Sequence, residues 1–281
     1  MATGVVGVTG ASGQLGGRIA RRLAERGEST RLVVRDPARA PSLPGAEVAV
    51  ASYQDPAALR TALDGVGTLL LVSATEAADR REQHVAAVDA AVAAGVTRIV
   101  YTSFTGAAPD ATFTFARDHW HTEGHIRETG VGFTFLRDNL YLDVLPAFAG
   151  EDGVIRGPAG QGRAGVVARD DIADAAVAVL LGEGHDGETY DLTGPQALTM
   201  GEVAAEITRV TGRKVTYQAE TLEEAYASRA GYGAPQWEVD GWVTSYSAIA
   251  EGELDLVTDA VATLTGHPPI SLADHLAAHR G

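Results

Sequence analysis

Seven residues near the start of the chain, Gly10-Ala11-Ser12-Gly13-Gln14-Leu15-Gly16, space three glycines as G-x-x-G-x-x-G. Glycine permits a tight turn and lets backbone approach a pyrophosphate; a helix opening there adds unpaired N–H groups and a favourable dipole. The run sits between an apolar strand-like segment and an apolar helical repeat, inside a strand–helix–strand unit of about 30 residues, the context a dinucleotide loop requires. The next strand ends Val33-Val34-Arg35-Asp36. A carboxylate at this point would accept a ribose 2′-hydroxyl, whereas a cation accommodates a 2′-phosphate. Arg35 comes first, and Arg39 can join it if residues 37–40 begin a helix, which favours NADP(H). In the alternative, Arg35 is an ordinary surface arginine and Asp36 takes the ribose.

Reduction and oxidation of alcohols on such a scaffold commonly use a Tyr-x-x-x-Lys pair, in which lysine lowers the tyrosine pKa for proton exchange. Here Lys214 is the only lysine, and the residue four before it is Val210. The pair is absent, so a conventional carbinol dehydrogenase or sugar epimerase mechanism does not fit. His119 is the candidate proton donor or substrate hydrogen-bonder, since imidazole can do either near neutral pH. A histidine pinning a helix to a loop is the alternative reading. His121 and His125 share a helical face, but Glu123 points away from it, and the spacing is not that of a zincin. No metal is expected.

These residues need a frame. Short β-branched runs at Val5–Val8, Thr30–Val34, Glu47–Val50, Thr68–Val72, Arg98–Tyr101 and Phe133–Leu136 alternate with helical spacing such as Leu15, Ile19 and Leu23. Gly27 and Gly95 sit where helices should stop. The pattern is α/β: a doubly wound parallel Rossmann sheet with a smaller, mostly helical C-terminal substrate region. The NADP-binding domain is expected over residues 1–150, with a returning helix and strand at about 170–193. Residues 194–281, together with 151–168, form the smaller region. Residues 153–167 read as a hairpin or irregular excursion, and Lys214–Gln218 as a strand. Thr199 followed by Glu202 reads as a capping box.

Composition narrows the function classes. The 281 residues include no cysteine, which excludes a disulfide scaffold, a thiolate zinc site and cysteine catalysis. A formal net charge of −15 argues against nucleic acid or an anionic membrane as partner. No stretch approaches the roughly 20 apolar residues of a membrane span, and Met1-Ala2-Thr3-Gly4 shows no basic leader. A cytoplasmic protein is expected, as a monomer or homodimer.

Thr9–Gly16, Val33–Arg35, Tyr101-Thr102-Ser103, His119-x-x-Thr122-Glu123, and Thr134–Arg137 followed by Asn139 and Tyr141 together resemble the NmrA-like branch of the atypical short-chain dehydrogenases/reductases. The resemblance is strongest to its quinone oxidoreductase type 2 and triphenylmethane reductase members, and runs over nearly the whole chain. It implies NADPH at the loop, with Thr9, Ser12, Gln14 and Leu15 near the adenosine and pyrophosphate and Arg35 at the 2′-phosphate. It also implies that Ser73 and Ala74 run beside the cofactor and that Asn139 to Tyr141 approach the nicotinamide. Two departures stand out. Ser52, before Tyr53, stands where relatives carry an Asp at the adenine contact, so that contact does not carry over; Gly124 stands where relatives carry a Lys, whose role is lost or taken over by another group.

The expected reaction is hydride transfer from NADPH to a quinone or aromatic dye, whose extended π-system takes up charge without strong acid assistance. A cleft between the sheet's C-terminal edge and the helical tail is the expected place. Phe104, Tyr141, Phe148, Tyr232 and Trp237 are candidates for its aromatic wall, and core packing is the competing reading of each. The competing function is an NADP(H)-binding redox sensor that regulates a partner with little or no turnover.

Overall fold

The computed structural model describes residues 4–279; Met1–Thr3, read above as lacking a leader, lie outside the described residues. Strands β1 (Val5–Thr9), β2 (Thr30–Val34), β3 (Ala46–Val50), β4 (Val66–Leu71), β5 (Arg98–Phe104) and β6 (Gly132–Asp138) alternate with helices. The helices are α1 (Gln14–Glu25), α2 (Pro56–Ala62), α3 (Arg80–Ala93) and α4 (Thr114–Thr129), with a single turn α5 (Leu145–Phe148) after β6. Two short strands follow, β7 (Val154–Gly157) and β8 (Arg163–Ala164), then helix α6 (Arg169–Leu181) and strand β9 (Thr189–Leu192).

The main sheet has seven strands in the order β3-β2-β1-β4-β5-β6-β9, with β3-β2-β1-β4-β5 paired in parallel. Six of these strands follow the 3-2-1-4-5-6 order of a doubly wound nucleotide fold, so the expected class holds. β-branched residues make these strands because they pack well on a pleated surface. Helix α1 lays Leu15, Ile19 and Leu23 in the core at i, i+4, i+8. Gly27 and Gly95 follow α1 and α3 as the spacing predicts.

The chain forms two compact units. The first holds residues up to 103 together with 118–137 and 170–190. Its core packs Leu69, Leu71, Ile99 and Tyr101 from the sheet against Leu59, Val88, Ala91 and Ile126 from the helices that cover it. The second holds 104–117, 138–169 and the residues from 191 onward. Residues 104–117 and 138–150, expected with the first domain, therefore lie in the second unit. Boundaries drawn along the sequence cannot register segments that leave a sheet at strand ends.

The second unit continues with β10 (Leu198–Thr199), α7 (Met200–Thr211), β11 (Thr216–Ala219), α8 (Leu222–Arg229), α9 (Gln236–Ala250), α10 (Ala260–Thr265) and α11 (Leu272–Ala278). Its core packs Met200, Val203 and Ile207 of α7 with Leu272 and Leu276 of α11 and Tyr246 and Ile249 of α9. The capping box forms, Thr199 Oγ1 accepting from the Glu202 N–H and the Glu202 carboxylate from the Thr199 N–H. Of the two readings of residues 153–167, the hairpin does not form and the irregular excursion does. β7 pairs in parallel with β11, and β8 pairs antiparallel with β10, so each short strand finds a partner far along the chain.

Candidate functional site

A cavity of about 520 Å³ opens in the first unit, lined at the C-terminal ends of β1, β2 and β4. In an open parallel sheet this edge, where the strand order reverses, is where ligands sit. Of the residues expected to bind cofactor, Thr9, Gly10, Ser12, Gly13, Gln14, Leu15, Arg35, Tyr53, Ser73 and Ala74 all line it. Gly10 adopts φ +60°, a left-handed conformation that favours glycine. A Cβ at Gly16 would collide with the Gly10 carbonyl oxygen, so the third glycine is what lets α1 start against the loop. Helix α1 has no side-chain cap at Gly13 and no acidic residue in its first turn. Its opening amides are thus available to an anion.

Two of the expected cofactor residues stand elsewhere. Ala11 is 1% exposed and belongs to the core beneath the loop, its methyl serving packing rather than the cavity. Asn139 is buried in the second unit, where its amide donates to the Leu254 carbonyl (3.1 Å) and its Oδ1 accepts from the Leu140 N–H (2.8 Å). It holds two segments of that unit together.

The residues after β2 separate the two readings of the ribose end. Residues Pro37–Arg39 form one 3-10 turn rather than a longer helix, and Asp36 is its N-cap, accepting from the Ala38 N–H at 2.9 Å. Arg35 and Arg39 both line the cavity, and Asp36 does not. Tyr53 closes the same side. Its hydroxyl donates to the Val72 carbonyl (2.6 Å) and lies 2.5 Å from Thr9 Oγ1, which in turn accepts from the Val72 N–H (2.9 Å). Burial raises this phenol above its ordinary pKa, which keeps it a donor.

His119 takes the structural reading. It is 5% exposed, and both ring nitrogens are engaged: Nε2 accepts from Arg80 Nη2 (3.0 Å) and Nδ1 faces the Tyr101 hydroxyl (2.8 Å). Because guanidinium can only donate, the ring proton sits on Nδ1. Burial, reinforced by the neighbouring Arg80 charge, holds the imidazole well below its ordinary pKa. A ring so enclosed and so hard to protonate is a poor proton donor to a substrate.

Glu123, in the same sequence block, is fully buried and accepts two hydrogen bonds from Arg137 (2.8 and 2.7 Å), one from Arg127 (3.2 Å) and one from Ser103 Oγ (2.6 Å). The fork-on-carboxylate geometry makes it an internal anchor between α4 and the sheet. His125 turns instead to Asp89, 2.7 Å away. Among the described residues no group of three or more acidic or imidazole side chains could hold a metal ion.

The five aromatic candidates lie in the second unit, and the structure does not gather them into one wall. Phe104 stacks edge-on with Phe113 (5.1 Å between centroids), Phe113 with Phe115 (5.5 Å), and Phe115 meets Trp237 at 6.0 Å. A row of four rings results, two of which sequence reasoning passed over although Phe113-Thr114-Phe115 stands at the start of α4. Phe148 packs beside Tyr246, and Tyr232, 70% exposed, sits edge-on to Trp242. Tyr141 lies under the Arg169 guanidinium and donates to Asp138 Oδ2 at 3.0 Å. The Asp138 side chain is 1% exposed and its carboxyl is pushed up to about 8 by burial, against the pull of Tyr141 and Arg169. Nothing in the sequence marks that carboxyl as unusual.

The chain is similar to quinone oxidoreductase 2 of Escherichia coli, 36% identical over 96% of each chain. Among solved structures it superposes on the Escherichia coli NADPH-dependent quinone oxidoreductase in complex with NADPH, with a TM-score of 0.88 and 35% identity over 97% of this chain and 99% of that one. The triphenylmethane reductase of Citrobacter sp., complexed with NADP(H), gives 0.87 and 32% over 98% and 100%. The NmrA-like family model matches residues 2–234, and the chain belongs to the NmrA-like family.

Proposed function

We propose that this chain is an NADPH-dependent oxidoreductase that transfers hydride to a flat conjugated acceptor such as a quinone or an aromatic dye. The observation that carries the reading is the first-unit cavity. Its walls combine uncapped α1 amides with Arg35 and Arg39, while Asp36 is occupied in capping a turn. The fit to the dinucleotide is good on three counts: a glycine cradle that a Cβ would fill, a cationic end suited to a 2′-phosphate, and sufficient volume. Thr9, Ser12, Gly13, Gln14 and Leu15 would hold the pyrophosphate side, Arg35 and Arg39 the 2′-phosphate, and Tyr53, Ser73 and Ala74 the wall beside them. When bound, NADPH supplies a hydride, which with one proton converts a quinone to the hydroquinone.

The second unit is our candidate for acceptor binding, through the row Phe104, Phe113, Phe115 and Trp237, whose faces suit a planar π-system. No Tyr-Lys pair is needed for such an acceptor, because its ring system delocalises the incoming charge. Full-length similarity to reductases that bind NADPH favours turnover over a regulatory role. No helix among the described residues is long and apolar enough to cross a membrane. A cytoplasmic location fits the use of NADPH. Purified protein mixed with NADPH and menadione tests the proposal: steady loss of the reduced-nicotinamide absorbance is expected. Saturable NADPH binding with no turnover on quinones or dyes would overturn it in favour of the sensor.

A further inference from the structure

The cavity wall formed by residues 72–74 has no helix or strand of its own, yet buried or half-buried backbone must place its polar groups somewhere. Side chains supply the partners. Thr9 accepts from the Val72 N–H and Tyr53 donates to the Val72 carbonyl; Thr102 Oγ1 accepts from the Ser73 N–H at 2.8 Å. The peptide groups of Ala74 are held at both ends. Its N–H donates to His84 Nε2 (2.9 Å), and its carbonyl accepts from Arg80 Nε (2.9 Å).

We infer that His84 and Arg80 are positioning residues of the dinucleotide site, fixing the Ser73–Ala74 wall from behind. Neither lines the cavity; they stand one turn apart at the start of α3. Each is itself fixed. The His84 ring, fully buried, must carry its proton on Nδ1, because Nε2 accepts from Ala74; Nδ1 then donates to Thr122 Oγ1 (2.8 Å), which donates on to the Asp118 carbonyl (2.8 Å). Arg80, 3% exposed, spends Nη2 on His119 and lies 3.8 Å from the Asp118 carboxylate through Nη1. His119 accordingly acts as the buttress of Arg80. The arrangement sets two requirements on position 84: an acceptor at the place of Nε2, and a neutral side chain, since a protonated ring has no lone pair to offer the Ala74 amide.

The inference rests on the reading of the cavity as the NADPH site, and the experiment separates the two. NADPH dissociation constants are measured by calorimetry at neutral pH for the full chain, His84→Leu, His84→Gln and Ile126→Ala, with Tm for each. Gln can place an amide oxygen where Nε2 stands; Leu cannot. Ile126→Ala opens the core of the same unit without touching the wall, and serves as the matched loss of stability. His84→Leu is expected to weaken NADPH about tenfold, His84→Gln to stay within about threefold of the unaltered chain, and Ile126→Ala to bind normally despite its lower Tm. Equal affinity in His84→Leu and the unaltered chain overturns the inference, as does equal weakening in Ile126→Ala. Should His84→Leu fail to fold, weakening by His84→Gln as severe as that expected of Leu has the same force. Failure of the unaltered chain to bind NADPH sinks the cavity reading instead.

Discussion

The two units present different materials. The first presents backbone: glycine-bordered peptide groups at the start of α1, a wall of peptide groups from 72 to 74, and two arginines at one end. The second presents side chains alone, a row of aromatic rings and a buried carboxyl beneath a tyrosine and an arginine. Backbone recognition tolerates little substitution, because a single Cβ or a displaced peptide removes several interactions together. Recognition by rings can be retuned one residue at a time. On the proposed function, a fixed cofactor falls to the first unit and a varied acceptor to the second.

The largest effect is expected at Gly16. Replacing it with alanine drives a Cβ into the Gly10 carbonyl, and NADPH affinity should fall at least ~100-fold, or about 2.7 kcal/mol. Calorimetry with Tm as control would show it; near-normal binding would mean that the loop does not cradle the pyrophosphate. Next comes Arg35→Ala, expected to weaken NADPH roughly tenfold while leaving NADH nearly unchanged. An unaltered ratio of the two Kd values would return the ribose to Asp36.

In the second unit the expected effects are smaller and of another kind. Trp237→Ala should change kcat/KM for menadione by roughly 3–10-fold, with the NADPH Kd constant. A shift in NADPH affinity instead would blur the division between the units. The smallest effect is a contrast of sign with pH. His84 is pushed down to about 3 by burial and the Arg80 charge, so stability is full above the ordinary imidazole pKa of 6.5 and falls as acid approaches 3. Asp138 is pushed up to about 8, so its contribution is full below the ordinary carboxyl value of 3.8 and is lost as pH rises from about 4 to about 8. Asp138→Asn, which keeps a neutral side chain, should flatten the decline in Tm over that upper window, by about 2–4 °C for each kcal/mol restored. An identical pH profile in the variant would mean the carboxyl is not held neutral.

The site was legible where its physics is local. Gly10, Gly13 and Gly16 impose a backbone path within seven residues, and Arg35 follows a strand whose β-branched run marks its end. The capping box at Thr199 was readable for the same reason; a second, Thr221 with Glu224, carries the same spacing and was passed over. What the chain order conceals is partnership at a distance. The role of His119 depends on Arg80 and Tyr101, which come 39 and 18 residues earlier. The fate of β7 depends on β11 some 60 residues on, which is why two short runs looked like a hairpin. Burial decides the rest: Asp138 and Glu123 are both acidic residues in the sequence, but one has a single tyrosine hydroxyl on Oδ2 and no hydrogen bond at Oδ1, while the other is gripped by two arginines.

Amides in irregular segments ordinarily trade their hydrogens with solvent quickly, whereas those of Ser73 and Ala74 give theirs to buried Thr102 and His84. Their deuterium uptake in the ligand-free protein should therefore be as slow as that of a sheet interior, and it would report the integrity of the nucleotide pocket before any nucleotide is added.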